Sequence, residues 1–496
     1  MSLLIAVAEP PALDWHPEPT AYAAACGDAV TRYRGSLEAI ARTQSPSLAS
    51  IVLPLERAQA DLDDATATAP ILEHEAAAPD LREAARTCRE SARTADETAL
   101  ADPRLFHLLQ RVFHGRWART PIERSLGLRW RSLLVASGGA LAPQARRALL
   151  VRRAELDAIE ADYAEHPDEM LFARAAAARD RLAHLLGYES WAERALAPTS
   201  LRTPAAAEKL VERILAEPTA QPHSLDPAPE ALPLAGLPDD ILAVDAAFLG
   251  LRVTHSDLAG WSPSVRVFDV NDAASGDPIG TLALDFDADD PRGAQLLVPR
   301  RDDGTGTHAA YAVVRMRYPA PRRGGTMLAR AQVAALADEL GTALASLVPD
   351  TAYERLNDVS PDVSRITGAL FADLFPRARD ERAELASDAH VASLDLRLAQ
   401  GGSGADARMA WRALAPAQRA VLVRDAGLVS ARNVLARLYA ADIAADLGAE
   451  PIAQEVGRRY RRLVLEPGGA LPVLDELTRF LGRPPDLERL YTPDAP

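Results

Sequence analysis

The sequence predicts a mainly α-helical fold in two lobes, with one small antiparallel β-sheet. Apolar residues recur at helical spacing through most of the 496 residues, and prolines and glycines divide this pattern into helices of medium length. Strand-like alternation of apolar and polar residues is clear only in residues 265–318. A chain of this length exceeds what one compact core usually holds, which favours two lobes.

The first part of the chain, from about residue 18 to residue 197, is predicted to be almost entirely helical. Helix-breaking prolines separate its segments at Pro46, Pro54, Pro70, Pro79, Pro103 and Pro121. Residues 217–239 are rich in proline and alanine and show little periodicity, so they predict a loop or linker.

The β region begins with a hairpin pattern. VRVFDV alternates, NDAASGD supplies a turn, and GTLALDFD alternates again. AQLLV and AYAVVRMRY follow, separated by a glycine-rich loop in residues 300–308. That loop lacks the Lys-Ser/Thr pair of a phosphate-binding P-loop, so it predicts a hairpin connection.

Residues 326–347 predict an amphipathic helix with Thr326 as its N-cap, and the helix should end before Val348-Pro349. Its apolar face carries Val333, Leu336, Leu340, Leu344 and Leu347. At its centre stands the pentapeptide Asp-Glu-Leu-Gly-Thr, residues 338–342. Zinc peptidases carry H-E-x-x-H on such a helix, where two histidines bind zinc and the glutamate is the general base. Oxygen side chains replace both histidines here.

Composition limits the possible partners and compartments. A net charge of −15 argues against nucleic acid as a partner. No apolar run approaches membrane-spanning length, so no membrane partner is expected. Cys26 and Cys88 provide no disulfide framework, which predicts a reduced, cytoplasmic protein.

Five segments, in their shared order, resemble the zinc peptidase family of thimet oligopeptidase and oligopeptidase A, family M3. They are IVLPLERAQADLDDA, APDLREAARTC, LLGYESWAERALA, VRVFDVNDAASGDPIGTLALDFDADDPRGAQ and FLGRPPDLERL. The resemblance implies a zincin-like, two-lobed helical clamshell with the small sheet beside its cleft.

The same resemblance implies a division into four parts. Residues 1–198 would form an N-terminal helical lobe, and residues 199–262 a linker with helices. The sheet would occupy residues 263–320. Residues 321–496 would form a second helical lobe with the altered zinc helix.

The resemblance also places the family's metal site on this chain. Asp338 and Thr342 stand at the two histidine positions and Glu339 at the general-base position. The third ligand, a glutamate on the next helix in the family, corresponds to Arg365. An arginine has no lone pair to offer a cation and would repel it. We therefore predict no metal and no cofactor. We predict that an ion pair between Asp338 and Arg365, which Glu339 could share, ties the two helices instead.

The family's substrate-binding tyrosines and histidine correspond to residues 421–442. Ser430, Ala431 and Asn433 stand at the expected aromatic positions, and this stretch contains no histidine. Ser430 and Asn433 are the candidate substrate-binding residues that remain. The loss of two separate parts of the peptidase machinery favours lost chemistry over a shifted metal site.

Three functions remain open on the sequence. The first is a catalytically inactive homologue that binds a peptide or partner protein in the cleft. The second is a repurposed, metal-independent enzyme that tailors a peptide or small molecule in specialised metabolism, using the polar residues at positions 338, 339 and 365. The third is a residual metallopeptidase with ligands from elsewhere. Active zinc peptidase chemistry is not expected.

Overall fold

The computed structural model describes residues 13–114, 118–216, 231–302, 307–318, 325–358, 361–374, 381–402, 404–424, 428–447 and 454–488. Across these ranges the protein is mostly helical with a small sheet, which confirms the predicted fold class. Most of the linker predicted at 217–239, namely 217–230, lies outside the described residues, as do the last two residues of the FLGRPPDLERL segment. The part of the linker that is described contains a short strand and the start of a helix.

The chain divides into two compact units, and each unit is built from separate stretches of sequence. Unit 1 contains residues 1–139, 229–377 and 443–485. Unit 2 contains residues 140–228, 378–442 and 486–496. Each unit encloses a hydrophobic core of its own.

The helices of unit 1 are α1 (Pro19–Ala41), α2 (Leu53–Thr66), α3 (Ala69–Glu75), α4 (Pro79–Leu100), α5 (Pro103–Val112), α6 (Pro121–Ala136), α11 (Leu237–Leu249), α12 (Arg330–Leu347), α13 (Glu354–Asn357), α14 (Pro361–Leu374), α19 (Gln454–Tyr460) and α20 (Val473–Leu481). Most of them begin beside a proline, whose fixed φ suits the first helical turn and whose missing N–H is not needed there. Unit 1 also contains all of the described strands.

The helices of unit 2 are α7 (Pro143–Glu165), α8 (Glu169–Leu185), α9 (Trp191–Leu196), α10 (Pro204–Ala216), α15 (Glu381–Ala399), α16 (Gly404–Ala413), α17 (Pro416–Arg424) and most of α18 (Val429–Leu447). Their core is rich in leucine and alanine, and it includes Phe172 and Trp191. Trp411 packs edge-on against Phe172, with ring centroids 5.8 Å apart.

The strands are β1 (Ala231–Pro233), β2 (Leu251–His255), β3 (Arg266–Asp272), β4 (Pro278–Asp285), β5 (Gly293–Val298), β6 (Arg301–Asp302), β7 (Thr307–His308), β8 (Ala310–Arg315) and β9 (Met327–Ala329). The main sheet has the order β2-β3-β4-β8-β5. The predicted hairpin is confirmed as β3 and β4, and the glycine-rich loop joins the short antiparallel pair β6 and β7. Residues 303–306 at the tip of that loop lie outside the described residues.

The sheet differs from the prediction in two ways: β4 and β8 run parallel, and β2 lies before the predicted β region. The sheet is therefore mixed rather than purely antiparallel. Alternation of apolar residues identifies a strand but says nothing about its neighbour in the sheet. Here β8 lies between β4 and β5, which places β5 at one edge of the sheet.

Both faces of β8 are covered, as its uniformly buried residues require. Tyr311 and Val313 belong to the same core as the N-terminal helices. On that side Trp15 packs against Trp261, with ring centroids 5.0 Å apart, and against Tyr311 at 5.9 Å. On the other side lies α12, close enough that a side chain at Gly280 would meet Leu347. The sheet therefore presents a rigid support to α12.

Helix α12 confirms the predicted apolar face, since the five residues of that face are all at most 1% exposed. It also confirms the predicted end, because the last helical residue is Leu347. The predicted start was wrong: Thr326 precedes strand β9, and the helix begins at Arg330. Pairing of β9 with β1 takes residues 327–329 out of the helix. The side chain of Gln332 accepts a hydrogen bond from the N–H of Ala329, at 2.9 Å, and so caps the new start.

The two cysteines are paired, which corrects the prediction from the sequence. Cys26 of α1 and Cys88 of α4 form a disulfide with a Cα–Cα distance of 5.8 Å. Two cysteines far apart in the sequence give no signal of pairing until the packing of their helices is known. None of the described helices is both long and apolar enough to span a membrane. A cytoplasmic location stays a prediction.

Candidate functional site

Helices α12 and α14 lie unusually close, and glycines make this approach possible. A side-chain carbon at Gly341 of α12 would stand 2.5 Å from Phe371 and 3.2 Å from the Cα of Gly368. A side-chain carbon at Gly368 of α14 would stand 2.2 Å from Oδ1 of Asp338. Only glycine on both sides allows the backbones to approach this closely. The contact places the polar residues of α12 directly against α14.

The structure brings together the four residues that the sequence assigned to the altered metal site. Asp338, Glu339 and Thr342 lie on α12, and Arg365 reaches them from α14. Nη1 of Arg365 is 3.1 Å from Oε1 of Glu339 and 3.8 Å from Oδ1 of Asp338. The hydroxyl of Thr342 donates to Oδ1 of Asp338 over 3.3 Å. These residues form one polar cluster, which we call the α12–α14 cluster.

The guanidinium of Arg365 binds a different carboxylate from the one expected to be its main partner. The sequence favoured Asp338, with Glu339 as a possible second partner, but Glu339 makes the shorter contact. Asp338 instead accepts a hydrogen bond from Thr342, one helical turn away.

Both carboxylate oxygens of Glu339 are engaged. Oε1 accepts from Arg365, and Oε2 accepts from the backbone N–H of Ala294, the second residue of β5, over 2.6 Å. The preceding Gly293 has φ +68°, and a side-chain carbon there would stand 2.4 Å from Oε2. Gly293 is therefore required both by its left-handed backbone and by its contact with Glu339. Sequence reasoning missed this partner because a backbone N–H carries no residue signature.

The charge of Glu339 in the α12–α14 cluster affects the pKa of Tyr318. Burial raises the pKa of the Tyr318 hydroxyl above its usual value, and the negative charge of Glu339 raises it further. The hydroxyl donates to the sulfur of Met316 over 3.2 Å. Tyr318 is thus held as a neutral phenol at physiological pH.

The α12–α14 cluster does not fit a zinc ion. Zinc in catalytic sites takes three protein ligands that offer lone pairs, together with a water. At the third position Arg365 offers only N–H donors and a positive charge. Among the residues that the structure describes, no group of three His, Cys, Asp or Glu side chains is arranged to hold a metal. The side chains at this site therefore do not support a metal-dependent reaction.

The two candidate substrate-binding residues lie in the other unit. Ser430 and Asn433 are half-buried on α18, within unit 2, whereas the α12–α14 cluster belongs to unit 1. Oδ1 of Asn433 is buried and has no hydrogen-bond partner in the described part of the chain. Their role in binding stays a prediction.

No family model and no curated protein matches the sequence. Solved structures do match. A carboxypeptidase of Pyrococcus furiosus aligns with a TM-score of 0.54 and 12% identity, over 94% of this chain and 97% of that one. Metallocarboxypeptidase 1 of Trypanosoma cruzi aligns with a TM-score of 0.53 and 10% identity, over 92% and 98%. An M32 carboxypeptidase of Deinococcus radiodurans aligns with a TM-score of 0.51 and 13% identity, over 93% and 96%.

The chain has the fold of the M32 carboxypeptidases. At the level of a zinc-peptidase fold, the resemblance seen in the sequence is confirmed. The structural neighbours are carboxypeptidases, however, a group related to the expected M3 oligopeptidases but distinct from them. Identities of 10–13% establish the shared fold and leave the activity open.

The Glu339–Arg365 pair should stabilise unit 1 modestly. Their side chains are 18% and 27% exposed, between a surface pair and a buried one. In a double-mutant cycle with Glu339→Gln and Arg365→Met, we expect a coupling energy of about 1 kcal/mol. Urea denaturation of the four proteins measures it.

The pair Arg86 and Glu83 on α4 provides a matched control, because both side chains are about half exposed or more. The cycle with Arg86→Met and Glu83→Gln should give a coupling of about 0–0.5 kcal/mol. A stronger coupling of Arg365 to Asp338 than to Glu339 would contradict the assigned pairing.

Proposed function

We propose that this protein is a metal-independent homologue of the zinc peptidases, without peptidase activity, that binds a peptide or a partner protein. One observation carries the proposal: the guanidinium of Arg365 lies 3.1 Å from the carboxylate of Glu339, inside the former metal site. A zinc peptidase needs a metal-bound water and a carboxylate free to take its proton. Here a permanent cation and a backbone N–H hold that carboxylate.

The unpaired edge of β5 supports the proposal that the protein binds a peptide. β5 ends the order of the main sheet, so its outer edge is not paired with another described strand. An extended peptide can add to such an edge through main-chain hydrogen bonds. The edge starts beside the α12–α14 cluster, because the N–H of Ala294 binds Glu339. The position of this edge suits a surface that still binds peptides although the peptidase activity has been lost.

The net charge of −15 supports a peptide or protein partner over nucleic acid, because phosphate backbones would be repelled. We also propose that no cofactor takes part.

Metal analysis and chelation test whether the protein contains or needs zinc. Protein purified without chelator should contain no stoichiometric zinc by elemental analysis. Its thermal melt should be the same with and without EDTA, because Arg365 supplies the link between α12 and α14 that a metal would otherwise provide. A melt that falls sharply with EDTA, or one zinc per chain, would overturn the proposal.

Activity assays test the rest. A mixed oligopeptide library should not be cleaved, and Glu339→Ala should leave that result unchanged. Cleavage by the wild-type protein that is lost in Glu339→Ala would contradict the proposal and favour an enzyme of altered chemistry on the same fold.

A further inference from the structure

A cavity of about 310 Å³ lies beside β5. Its wall includes Gln295, Leu296 and Leu297, three consecutive residues of the strand. β5 bulges between Leu296 and Val298, so Leu297 has no partner on β8. Because β5 is the outer strand of the main sheet, the cavity lies next to a strand that has one unpaired side. Its size is at the lower end of the range for ligand pockets.

The opposite wall is acidic. Asp63 of α2, Glu354 of α13 and Asp358 line it, together with the guanidinium-bearing Arg355. Three carboxylates thus face one cation among the described lining residues. Ala67, Pro70 and Pro299 give the lining an apolar part.

Glu354 is the carboxylate that is most in need of a partner. Its side chain is 8% exposed, so more than nine-tenths of it is buried. Oε2 makes a long contact of 3.4 Å with Nη1 of Arg301, and the same nitrogen also binds Oδ1 of Asp64 over 2.8 Å. A buried carboxylate that shares its cation with another carboxylate is incompletely neutralised, so a cationic donor from outside would be favourable there.

Asp63 is only half-buried, with 37% of its side chain exposed, and one of its oxygens has no close donor from Arg355. Oδ1 accepts from Nε2 of Gln59 over 3.0 Å, but Oδ2 is 3.9 Å from Nη2 of Arg355. Burial raises the pKa of Glu354 above the usual carboxyl range, and the negative charge of Asp63 raises it further. A bound cation would offset the repulsion between these two carboxylates.

We propose that this cavity is a subsite for a basic side chain, arginine or lysine, of an extended peptide bound along β5. The inference rests on the proposed peptide-binding function and names the residue type that the peptide must carry. The main chain would pair with the edge of β5, and the charged head group would reach Glu354 and Asp63. Leu296, Leu297 and Pro70 would contact the aliphatic stem, as apolar surfaces do for long cationic side chains.

A pair of matched peptides tests the subsite directly. Both are short fluorescein-labelled peptides of alternating threonine and valine, one with a central arginine and the other with citrulline in its place. Citrulline keeps the shape of arginine and removes its charge. By fluorescence polarisation on the full chain, the arginine peptide should bind about tenfold more tightly, the size expected for a charge-assisted hydrogen bond in a buried site.

Protein variants test whether the preference for the arginine peptide arises in the cavity. Asp63→Asn and Glu354→Gln should each reduce the preference for arginine over citrulline, and the double variant should abolish it. Asp61→Asn is the matched control, because Asp61 is exposed on the same helix and does not line the cavity, while the change of charge is identical. Thermal melts check that each variant folds. The comparison of the arginine and citrulline peptides uses the wild-type protein, so it does not depend on the folding of any variant.

The outcomes separate the subsite from the proposed function. Equal binding of both peptides overturns the subsite and leaves peptide binding intact. Absence of binding by either peptide overturns both. A preference for arginine that persists in the double variant places the basic side chain elsewhere and also overturns this assignment.

Discussion

Replacing Gly368 by alanine should destabilise unit 1 by about 3 kcal/mol, at the upper end of the range for overpacking a well-filled core. The added carbon would stand 2.3 Å from the hydroxyl of Thr342 and 2.5 Å from the backbone oxygen of Asp338. A side chain can rotate away, but the backbone of α12 cannot move without disturbing its contact with the sheet. The two helices must therefore separate, which also pulls Arg365 away from Glu339.

Urea denaturation measures the loss, and Gly35→Ala serves as the control. Gly35 lies exposed within α1, and a side-chain carbon there would meet no atom within 4 Å. Alanine at that position should stabilise the helix by about 0.5–1 kcal/mol. If Gly368→Ala unfolded at the same urea concentration as the wild type, the close contact of α12 and α14 would be wrong.

Glu476→Gln should increase the free energy of unfolding by about 2–3 kcal/mol at pH 7. Glu476 on α20 is fully buried, and neither carboxylate oxygen has a hydrogen-bond partner in the described part of the chain. Burial raises its pKa to about 9, with a further contribution from Asp475. At pH 7 the folded protein must therefore keep this group protonated, whereas the unfolded chain ionises it.

The pH dependence provides the sharper test. Because the folded pKa lies above the unfolded value of 4.5, Glu476 lowers stability progressively as pH rises from about 4.5 to about 9. Each pH unit in that window is worth about 1.4 kcal/mol at most. The gain from Glu476→Gln should thus be small near pH 5 and grow toward pH 8.

Stability curves of the two proteins between pH 5 and pH 8, roughly the range in which most domains are most stable, measure this difference. Glu455→Gln on the exposed side of α19 is the control with the same change of charge, and its effect should be within about 0.5 kcal/mol at every pH. A constant difference between Glu476→Gln and the wild type would show that this carboxyl is not desolvated.

Local patterns predicted much of the fold. The apolar face from Val333 to Leu347 and the alternation in residues 265–285 each depend on neighbours in sequence, and both were confirmed. Thr326 shows the limit of this kind of inference. Its N-cap chemistry was suitable, but pairing of β9 with β1, almost a hundred residues earlier, decided where the helix begins.

The site was predicted in part. The resemblance identified Asp338, Glu339, Thr342 and Arg365 as neighbours, and the structure places them together. It did not identify the partner of Glu339 on β5, because a backbone N–H looks the same at every residue. The cavity beside β5 was not predicted either, since Asp63 and Glu354 are far apart in the chain and appear in the sequence as ordinary charged helix residues.

The sequence by itself determined the helical class, the position of strands β3, β4, β5 and β8, and the apolar face of α12. These features follow from residue type and spacing, which act over one or two turns of chain. The tertiary structure decided which strand pairs with β4 and that Cys26 forms a disulfide with Cys88. It also decided that Nη1 of Arg365 lies closer to the carboxylate of Glu339 than to that of Asp338. Each of these depends on the distance between elements that are remote in sequence, and that distance is set only when the faces of the helices and the sheet pack together.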